Sequence, residues 1–419
     1  MAFLPVLVVF ILYFSGIPIA FALFAATLLY FGVLNTGSPT DLILQKFITS
    51  TQSFPMLAIP FFVMAGSIMN YAGISNKLMS FADVLTGHMK GGLAQVNVLL
   101  SMLMGGVSGS ANADAAMQCK MLVPEMEKRG YSKGFSAAIT AASSAVTPVI
   151  PPGINLIVYA LIAGVSVGKV FMAICLMIAV HFISKKRNYA PSREKRASGG
   201  ELWHQAIDSI WALLFPFGII LGLRIGLFTP SEAGAVAVLY CTIVGAFIYK
   251  ELKPEHFPKV IRETIEGTSS VMLIIVAANV FGYYMSWERI PQMLTELLLG
   301  ITQNKYVMLM IINVLLLILG MFLEGGAALI ILAPLLVPVV KGLGVDLVHF
   351  GLVCIVNIMI GGLTPPFGSM MFTCCSITGC ELGEFVRECI PFIIALLIAL
   401  LIVTYFPALT MFVPNLLYG

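Results

Sequence analysis

Charged residues are scarce in this chain. Asp, Glu, Lys and Arg make up 10% of its 419 residues, whereas 59% are apolar, and roughly a quarter of a soluble domain is charged. The shortage excludes a soluble globular fold and a disordered chain. It also excludes an outer-membrane β-barrel, whose strands alternate apolar and polar residues. The composition predicts an all-α polytopic membrane protein.

The chain also lacks three other signatures. Its eight cysteines show neither C-x-x-C pairs nor Cys/His ligand spacing, so we interpret them as free thiols in an apolar core. The 23 basic and 20 acidic residues nearly balance, which predicts no surface for nucleic acid. Residues 1–34 have no basic leader segment before their long apolar run, so the first span is expected to be retained.

Apolar runs follow one another along the chain, and a helix needs about 20 such residues to cross a membrane. Two stretches, 92–123 and 305–340, are too long for one span and too interrupted for two. Each has a polar or Gly-rich centre, at 105–112 and 324–326, so we interpret both as re-entrant helical hairpins. Further spans are predicted at 2–14, 17–34, 54–72, 134–165, 170–184, 209–228, 231–249, 266–286, 349–380 and 390–413.

Lys and Arg orient the spans, because the short inner loops of membrane proteins are rich in both. With an outside N-terminus and two re-entrant hairpins, 17 of the 23 basic residues fall inside and 5 outside. Counting either long stretch as one crossing would move the Lys185–Arg196 cluster to the outer side. The inner loops are then 72–92, 120–133, 185–208, 250–263 and 380–389, and the outer loops are 35–53, 165–169, 288–306 and 340–349.

The two halves of the chain share landmarks at a constant offset of 214 residues. Leu122-Val123-Pro124 returns as Leu336-Val337-Pro338, and Pro151-Pro152 returns as Pro365-Pro366. The first half begins outside and the second begins inside. Inverted repeats with discontinuous helices are typical of secondary transporters, whose site lies at mid-membrane. The predicted divisions are a first repeat at 1–184, a basic cytoplasmic linker at 185–208 and a second repeat at 209–419.

A proline- and glycine-rich run interrupts one span in each half, at 147–153 and at 361–368. Proline removes an N–H donor and clashes with the preceding turn, so neither run can remain helical. The freed carbonyl oxygens need a partner in hydrocarbon, and a dehydrated Na⁺ prefers such hard oxygens. The alternative to an ion site is that the small residues of the first hairpin centre, at 105–112, only allow close helix packing.

We expect each hairpin centre to lie beside the break of its own half. Helix N-termini at the two centres would also attract an anionic substrate. The predicted Na⁺ ligands are Ser108, Ser110 and Asn112 with the backbone at Thr147, Ile150 and Pro151, and the backbone at Gly325, Gly326 and Gly361 with the Thr364 hydroxyl. The predicted substrate contacts are Asn112, Pro152, Asn155, Glu324, Pro366 and Ser369.

Four formal charges lie within the apolar spans, where a charge is a functional candidate. For Glu324, support of an ion site and capping of the hairpin are equally favoured. Asp114 is expected to cap the helix that follows the first hairpin centre. Arg224 and Glu232 flank an interfacial turn and are expected to snorkel or to pair locally. His181 is interpreted as a packed histidine.

The chain carries, in order, the motifs Gly16-Ile17-Pro18-Ile19-Ala20-Phe21-Ala22, Gly105 to Ala116, Pro124-Glu125-Met126-Glu127-Lys128-Arg129-Gly130-Tyr131, Ile150-Pro151-Pro152, Phe228-Thr229-Pro230-Ser231-Glu232-Ala233, and Asn357 with Thr364-Pro365-Pro366. These motifs resemble those of the large membrane subunit of tripartite ATP-independent periplasmic (TRAP) transporters. The resemblance implies an elevator-type, Na⁺-driven importer of organic acids in the bacterial inner membrane, and no enzyme. It also implies a small four-helix membrane subunit (Q type) and a periplasmic substrate-binding protein (P type) as partners, with membrane lipid around them.

In such an elevator, the two hairpins and the broken spans 134–165 and 349–380 would carry the site past a scaffold. The scaffold would comprise the helices of 1–72 and 209–286 and the C-terminal helix 390–413. The family's Na⁺ positions correspond to the two ligand sets above. The run from Ser108 to Ala116 is more similar to members that carry sialic acid than to those that carry C4-dicarboxylates.

Electrical work predicts the number of coupling ions. Moving one anionic charge into a negative-inside cell costs about 2.3 kcal/mol per 100 mV, and one Na⁺ only cancels this cost. Two Na⁺, one for each repeat, leave a net positive charge moving inward. We therefore expect at least two coupling ions.

Two rival functions remain open from the sequence. A stand-alone Na⁺/carboxylate symporter would have the same inverted hairpins and no partner proteins. An intramembrane serine protease is the more remote alternative, because Gly106-Val107-Ser108-Gly109 spells G-x-S-G. A serine nucleophile needs a base within hydrogen-bond reach, and His181 is the only embedded histidine we predict.

Overall fold

The computed structural model of the chain is mostly helical in the part that it describes. It describes residues 3–34, 41–51, 58–108, 111–149, 172–224, 227–323, 325–365 and 368–408. No β-strand occurs in these ranges, which confirms the all-α prediction.

Twenty α-helices are found in the described ranges. Ser132, Thr229, Asn304 and Asp346 cap four of them, since their side chains accept hydrogen bonds from the first free backbone N–H groups. The helices are α1 Leu4–Phe14, α2 Ile19–Leu29, α3 Asp41–Thr51, α4 Ala58–Tyr71, α5 Ile74–Thr86, α6 Gly92–Ser108, α7 Ala111–Met121, α8 Val123–Lys128, α9 Lys133–Ser144, α10 Met172–Arg187, α11 Gly199–Asp208, α12 Ile210–Arg224, α13 Pro230–Ile243, α14 Phe257–Trp287, α15 Ile290–Ile301, α16 Lys305–Phe322, α17 Gly325–Gly342, α18 Leu347–Gly361, α19 Ser369–Thr378 and α20 Leu382–Tyr405.

Several helices are apolar and long enough to cross a membrane. Within the described residues these are Ser231–Ile248, Pro254–Trp287 and Leu382–Tyr405. The pair α4 and α5 would add a fourth span, although it bends by 70° at its break. Shorter apolar helices include α1, α15, α16 and α18. This content agrees with a polytopic chain in which many spans are interrupted.

Five helices lie where the sequence predicts polar loops: α3, α5, α8, α11 and α15. The prediction of loops at 35–53, 72–92, 120–133, 185–208 and 288–306 is therefore wrong in part. α5 shows the reason, because Ile74, Leu78 and Ala82 form one buried face at the spacing of an amphipathic helix. The polar residues between them conceal this face from a search for continuous apolar runs.

Two predicted spans are extended, and one is divided. α14 begins nine residues before the predicted start at 266, and α20 begins eight residues before 390. The added N-terminal turns of both helices are polar and extend each helix beyond its apolar part. The predicted span 349–380 is two helices, α18 and α19, and α9 forms the first part of 134–165. Residues 150–171 lie outside the described part.

Two hydrophobic cores organise the molecule. The larger core contains residues of α1, α2, α7, α9 and α16 to α20. The second core contains residues of α4, α5, α12 and α13. α6 contributes to both, with Val98 in the larger core and Leu100 in the second. In the larger core α19 packs on α7 and α20 packs on α9, so the two halves of the chain interlock there.

The segment 188–198, within the predicted linker, is anchored along its length. The Arg193 N–H donates to Gly87 O at 3.1 Å, and the Gly91 N–H donates to Tyr189 O at 3.3 Å. The Arg193 guanidinium forms ion pairs with Asp83 of α5 at 3.2 Å and with Glu201 of α11 at 2.7 Å. This strap therefore joins the entrance of α6 to two neighbouring helices.

Candidate functional site

The first predicted hairpin centre coincides with a break between two helices. α6 ends at Ser108 and α7 begins at Ala111. Gln118 Nε2 donates to Ser101 Oγ at 2.6 Å, and these two residues are equally far from the break. The pairing places α6 and α7 side by side in opposite directions.

A buried carboxylate joins this helix pair to the break of the first half. Asp114 is 1% exposed, and its Oδ2 accepts hydrogen bonds from Ser101 Oγ at 2.9 Å, Gln118 Nε2 at 2.8 Å and Thr147 Oγ1 at 2.8 Å. The three donors belong to α6, α7 and the 3₁₀ turn Thr147–Val149. The prediction that Asp114 caps its helix is therefore wrong, because its carboxylate binds side chains of three segments instead.

The other oxygen of this carboxylate accepts no hydrogen bond from the described residues. Asp114 Oδ1 is buried and has no hydrogen-bond partner among the described residues, and the same holds for Gln118 Oε1 beside it. Asn112 Oδ1, at the start of α7, is a third buried oxygen of this kind. No Lys, Arg or His of the described part lies within ion-pair distance of Asp114. A negative charge without a partner in an apolar interior is costly, and a cation would neutralise it.

The donor set restricts the type of cation. Among the described residues, no group of three or more His, Cys, Asp or Glu side chains is placed to hold a metal ion. One carboxylate among neutral hydroxyl, amide and carbonyl oxygens suits a hard ion of low charge. The arrangement is therefore suited to a monovalent cation such as Na⁺.

One residue of the first predicted ligand set falls at this place. Thr147, predicted as a backbone ligand, binds Asp114 through its hydroxyl. Asn112 also has a buried amide oxygen, but it lies two residues before Asp114 on α7, so the two side chains leave different faces of the helix. Ser108 ends α6, and its side chain is not described. The remaining predicted residues of the first half lie outside the described part: Ser110, Ile150, Pro151, Pro152 and Asn155.

The second predicted break also coincides with a helix end. α18 stops at Gly361, and α19 begins at Ser369. Thr364 N–H donates to Gly361 O at 2.9 Å, and Thr364 Oγ1 donates to Ile360 O at 2.8 Å, so the hydroxyl keeps its lone pairs free. A Cβ built on Gly362 would lie 3.6 Å from Ser369 Oγ. The structure thus brings Gly361, Thr364 and Ser369 together at one turn.

Gly361 has a packing role in this turn. A Cβ at Gly361 would lie 2.5 Å from the carbonyl carbon of Gly320, so only glycine allows α16 and α18 to cross so closely. Gly325 and Gly326 begin α17, which packs on α18. Their pairing with the turn at Thr364 stays a prediction. Glu324 and Pro366 lie outside the described part.

Two other candidate side chains take local roles. Glu232 accepts from the Thr229 N–H at 2.7 Å within a capping box at the start of α13. Its pairing with Arg224 stays a prediction. His181 is half-buried on α10, with its ring edge-on to Phe182. The side chain of Arg224 is not described.

Sequence reasoning did not find Ser101, Gln118 or the bridging role of Asp114. The available signal was the i, i+4 spacing of Asp114 and Gln118, which places both on one helical face. Their partners Ser101 and Thr147 are distant in sequence and required the tertiary structure.

The chain matches a family model described as the DctM component of tripartite ATP-independent periplasmic transporters, over residues 6–409. It is 36% identical over 417 residues to the sialic acid TRAP transporter large permease protein SiaM of Vibrio cholerae, with 97% of each chain covered. It is 34% identical to the C4-dicarboxylate TRAP transporter large permease protein DctM of Pseudomonas aeruginosa, covering 93% of this chain and 92% of that one. It is also 34% identical to the 2,3-diketo-L-gulonate TRAP transporter large permease protein YiaN of Escherichia coli, covering 94% of each.

A solved structure has a similar fold. The YdaH transporter of Alcanivorax borkumensis superposes with a TM-score of 0.62 at 14% identity, and 87% of each chain is covered. At this identity the likeness concerns the fold alone.

Proposed function

The chain belongs to the DctM component family of tripartite ATP-independent periplasmic transporters, and from this premise we propose that it couples the import of an organic acid to Na⁺. Its relatives are large permeases and not enzymes, so the chain is a membrane permease and the serine-protease alternative is excluded. The finer features of the proposal are the coupling ion, the substrate, the partners and the movement.

One observation carries the coupling proposal: Oδ1 of the buried Asp114 has no hydrogen-bond partner among the described residues. Its Oδ2 already accepts three hydrogen bonds, so a cation would bind at Oδ1 without displacing a donor. Gln118, which donates to Oδ2, has a further neutral oxygen, Oε1, without a partner among the described residues. The cation would also bring together α6, α7 and the turn at Thr147, so the bound state would be more rigid than the empty state.

A second Na⁺ is proposed at the turn formed by Gly361 and Thr364, with Gly325, Gly326 and Glu324 completing the site. Two ions would carry one net positive charge inward with a monoanionic substrate. Each 100 mV of potential then adds about 2.3 kcal/mol of driving force, and each tenfold Na⁺ gradient adds about 1.4 kcal/mol per ion.

The substrate proposed is an organic acid, with sialic acid favoured and a C4-dicarboxylate next. The named relatives carry sialic acid, C4-dicarboxylates and 2,3-diketo-L-gulonate, and all three substrates bear a carboxylate. Asn112 and Ser369 stand at the two breaks and can donate to such a group. Pro152, Asn155, Glu324 and Pro366 complete the proposed set.

The proposed assembly includes a small membrane subunit of the Q type and a periplasmic substrate-binding protein of the P type, in the inner membrane with the N-terminus periplasmic. We further propose elevator movement of the hairpins and broken helices. The second core, formed mainly by α4, α5, α12 and α13, is in line with this division. The scaffold helices α1, α2, α14 and α20 pack in the larger core with the proposed moving part, and α6 of the first hairpin contributes to both cores.

Reconstituted transport tests the proposal. Proteoliposomes containing the chain and its small membrane subunit would be assayed with the binding protein and a panel of labelled acids, in Na⁺ or K⁺ buffer. We expect uptake of one acid only with Na⁺ and only with the binding protein. Equal uptake in K⁺ would contradict Na⁺ coupling, and full uptake by the chain alone would favour the stand-alone symporter.

A further inference from the structure

An asparagine ties the first hairpin to the broken helix of its own half. Asn97 of α6 is fully buried, and its Nδ2 donates to Thr140 Oγ1 at 2.7 Å. Its Oδ1 accepts from Ser143 Oγ at 2.6 Å. Both partners belong to α9, so one amide holds α6 against α9 with two hydrogen bonds.

A second asparagine makes the corresponding connection in the other half. Asn313 of α16 is buried, and its Oδ1 accepts from Asn357 Nδ2 of α18 at 2.8 Å. Its Nδ2 donates to Thr404 Oγ1 of α20 at 3.0 Å. Here too, the first helix of a hairpin is bound to the helix that ends at the break.

The two connections occupy equivalent places. The offset of 214 residues takes Ser143 to Asn357 and Thr147 to Gly361, and it takes Asn97 to within two residues of Asn313. Serine in one half and asparagine in the other do not match as residues, so the equivalence is visible only in the contacts.

Each connection lies close to a proposed ion site. Ser143 precedes Thr147 by four residues, about one helical turn, and Asn357 precedes Gly361 by the same number. Apolar contacts between helices in lipid allow sliding, whereas a buried hydrogen bond fixes one register. The register of α6 on α9 sets where Ser101 meets Thr147 and Asp114.

We propose that Asn97 and Asn313 are positioning residues, each of which fixes the distance between a hairpin and the adjacent helix break and thereby sets the affinity for the coupling cation. This inference rests on the proposed Na⁺ coupling. Neither asparagine belongs to the ligand sets.

The chain offers a matched control on the same helix. Gln95 is fully buried, two residues before Asn97, and its Nε2 donates to Met177 O of α10 at 3.0 Å. Gln95→Leu therefore removes a buried amide hydrogen bond of the same kind, but not one to the broken helix.

Asn97→Leu is expected to fold, because the hydroxyls of Thr140 and Ser143 can still donate hydrogen bonds within α9. Thr140 Oγ1 also donates to Ser136 O at 2.8 Å, and Ser143 Oγ also donates to Thr140 O at 3.0 Å. Ser143→Ala is a milder second variant that removes one of the two bonds and leaves the α6 side chain intact.

The experiment measures uptake against Na⁺ concentration in proteoliposomes of wild type, Asn97→Leu, Ser143→Ala, their double variant and Gln95→Leu. We expect the half-saturating Na⁺ concentration to rise about three- to tenfold in Asn97→Leu, with the maximal rate less affected. The double variant should match Asn97→Leu, since both changes remove the same contact, and Gln95→Leu should match wild type.

Equal shifts in Asn97→Leu and Gln95→Leu would overturn the inference, since a general loss of packing would then explain both. Additive shifts in the double variant would overturn it as well. A wild type without Na⁺ dependence would instead contradict the proposed function, so the two failures are distinguishable. If Asn97→Leu does not fold, an unchanged Na⁺ curve in Ser143→Ala would be the contradicting result.

Discussion

Asp114 is the residue on which the proposed chemistry depends. Its two oxygens have different environments, one with three donors and one with none in the described part. A buried acceptor without a partner is rare in native proteins, and a bound ion is one explanation of it.

Asp114→Asn tests that role. Asparagine keeps an acceptor for Ser101 and Thr147 but removes the charge, so the fold should persist. We expect the half-saturating Na⁺ concentration for uptake to rise at least about tenfold, which corresponds to about 1.4 kcal/mol. Thermal unfolding in detergent should also lose its stabilisation by Na⁺, because an ion that binds only the folded state raises the melting temperature.

Asp346→Asn is the matched control for this experiment. Asp346 caps α18 by accepting from the Val348 and His349 N–H groups, and asparagine is an equally good N-cap. Its Na⁺ curve should match wild type. An equal shift in both variants would show that net charge, rather than the buried site, determines the effect.

The individual residues of the site were only partly predictable from the sequence. Thr147 was predicted as a backbone ligand because it begins the proline-rich break, whereas the structure shows its hydroxyl bound to Asp114. The three donors to Asp114 come from separate segments, and no local pattern in the sequence joins them.

At the scale of elements, glycine determines how closely the helices of the second half approach. Gly361→Ala would place a Cβ 2.6 Å from Gly320 Cα, so α16 and α18 would have to separate. We expect a loss of about 1 to 3 kcal/mol, typical of overpacking, seen as a lower melting temperature and a weaker Na⁺ response.

Gly282→Ala provides the comparison. Gly282 lies within α14, and a Cβ there would meet nothing within 4 Å. Alanine is favoured over glycine inside a helix by about 1 kcal/mol, so the melting temperature should stay or rise. A similar decrease in the melting temperature of both variants would contradict the claim that Gly361 is required for the close crossing at Gly320.

The strap at 188–198 is the other element with a specific expectation. Arg193→Gln removes the ion pairs to Asp83 and Glu201 and should free the strap from α5 and α11. A Glu-specific protease added to inside-out vesicles should then cut at Glu194 several times faster. Lys195→Gln, an exposed neighbour outside both ion pairs, should be cut like wild type, and equal rates in all three would refute the anchoring.

Helix breaks were easier to predict than helices. The ends of α6 and α18 lie where Gly, Ser and Pro cluster, because these residues cannot continue a helix in lipid without a partner. α5, α11 and α15 were assigned to loops, since their apolar residues recur every three to four positions and never form a long run.

At the scale of the whole molecule, the account requires two halves of opposite orientation. The equivalent contacts of Asn97 and Asn313 support the repeat, and the distribution of basic residues supports the orientation. Composition was enough to predict a helical membrane chain, whereas the interlocking of α19 with α7 across the halves could not be predicted from either half alone.

Impermeant maleimide labelling tests the orientation. Lys195→Cys and Asn304→Cys would be made in a chain whose eight natural cysteines are replaced. In intact cells Asn304→Cys, in the outer loop 288–306, should be labelled, and Lys195→Cys should react only after lysis. The reverse pattern would invert the topology, and labelling of both would contradict the placement of the strap inside.

The central claim is that the import of an organic acid is driven by at least two Na⁺ ions. The most direct test measures ²²Na⁺ and labelled acid entering the same proteoliposomes, with the chain, its small membrane subunit and the binding protein present. The account predicts two or more Na⁺ for each monoanionic substrate, and uptake that increases when the interior is made negative. One Na⁺ per substrate, or uptake that does not respond to the potential, would contradict it.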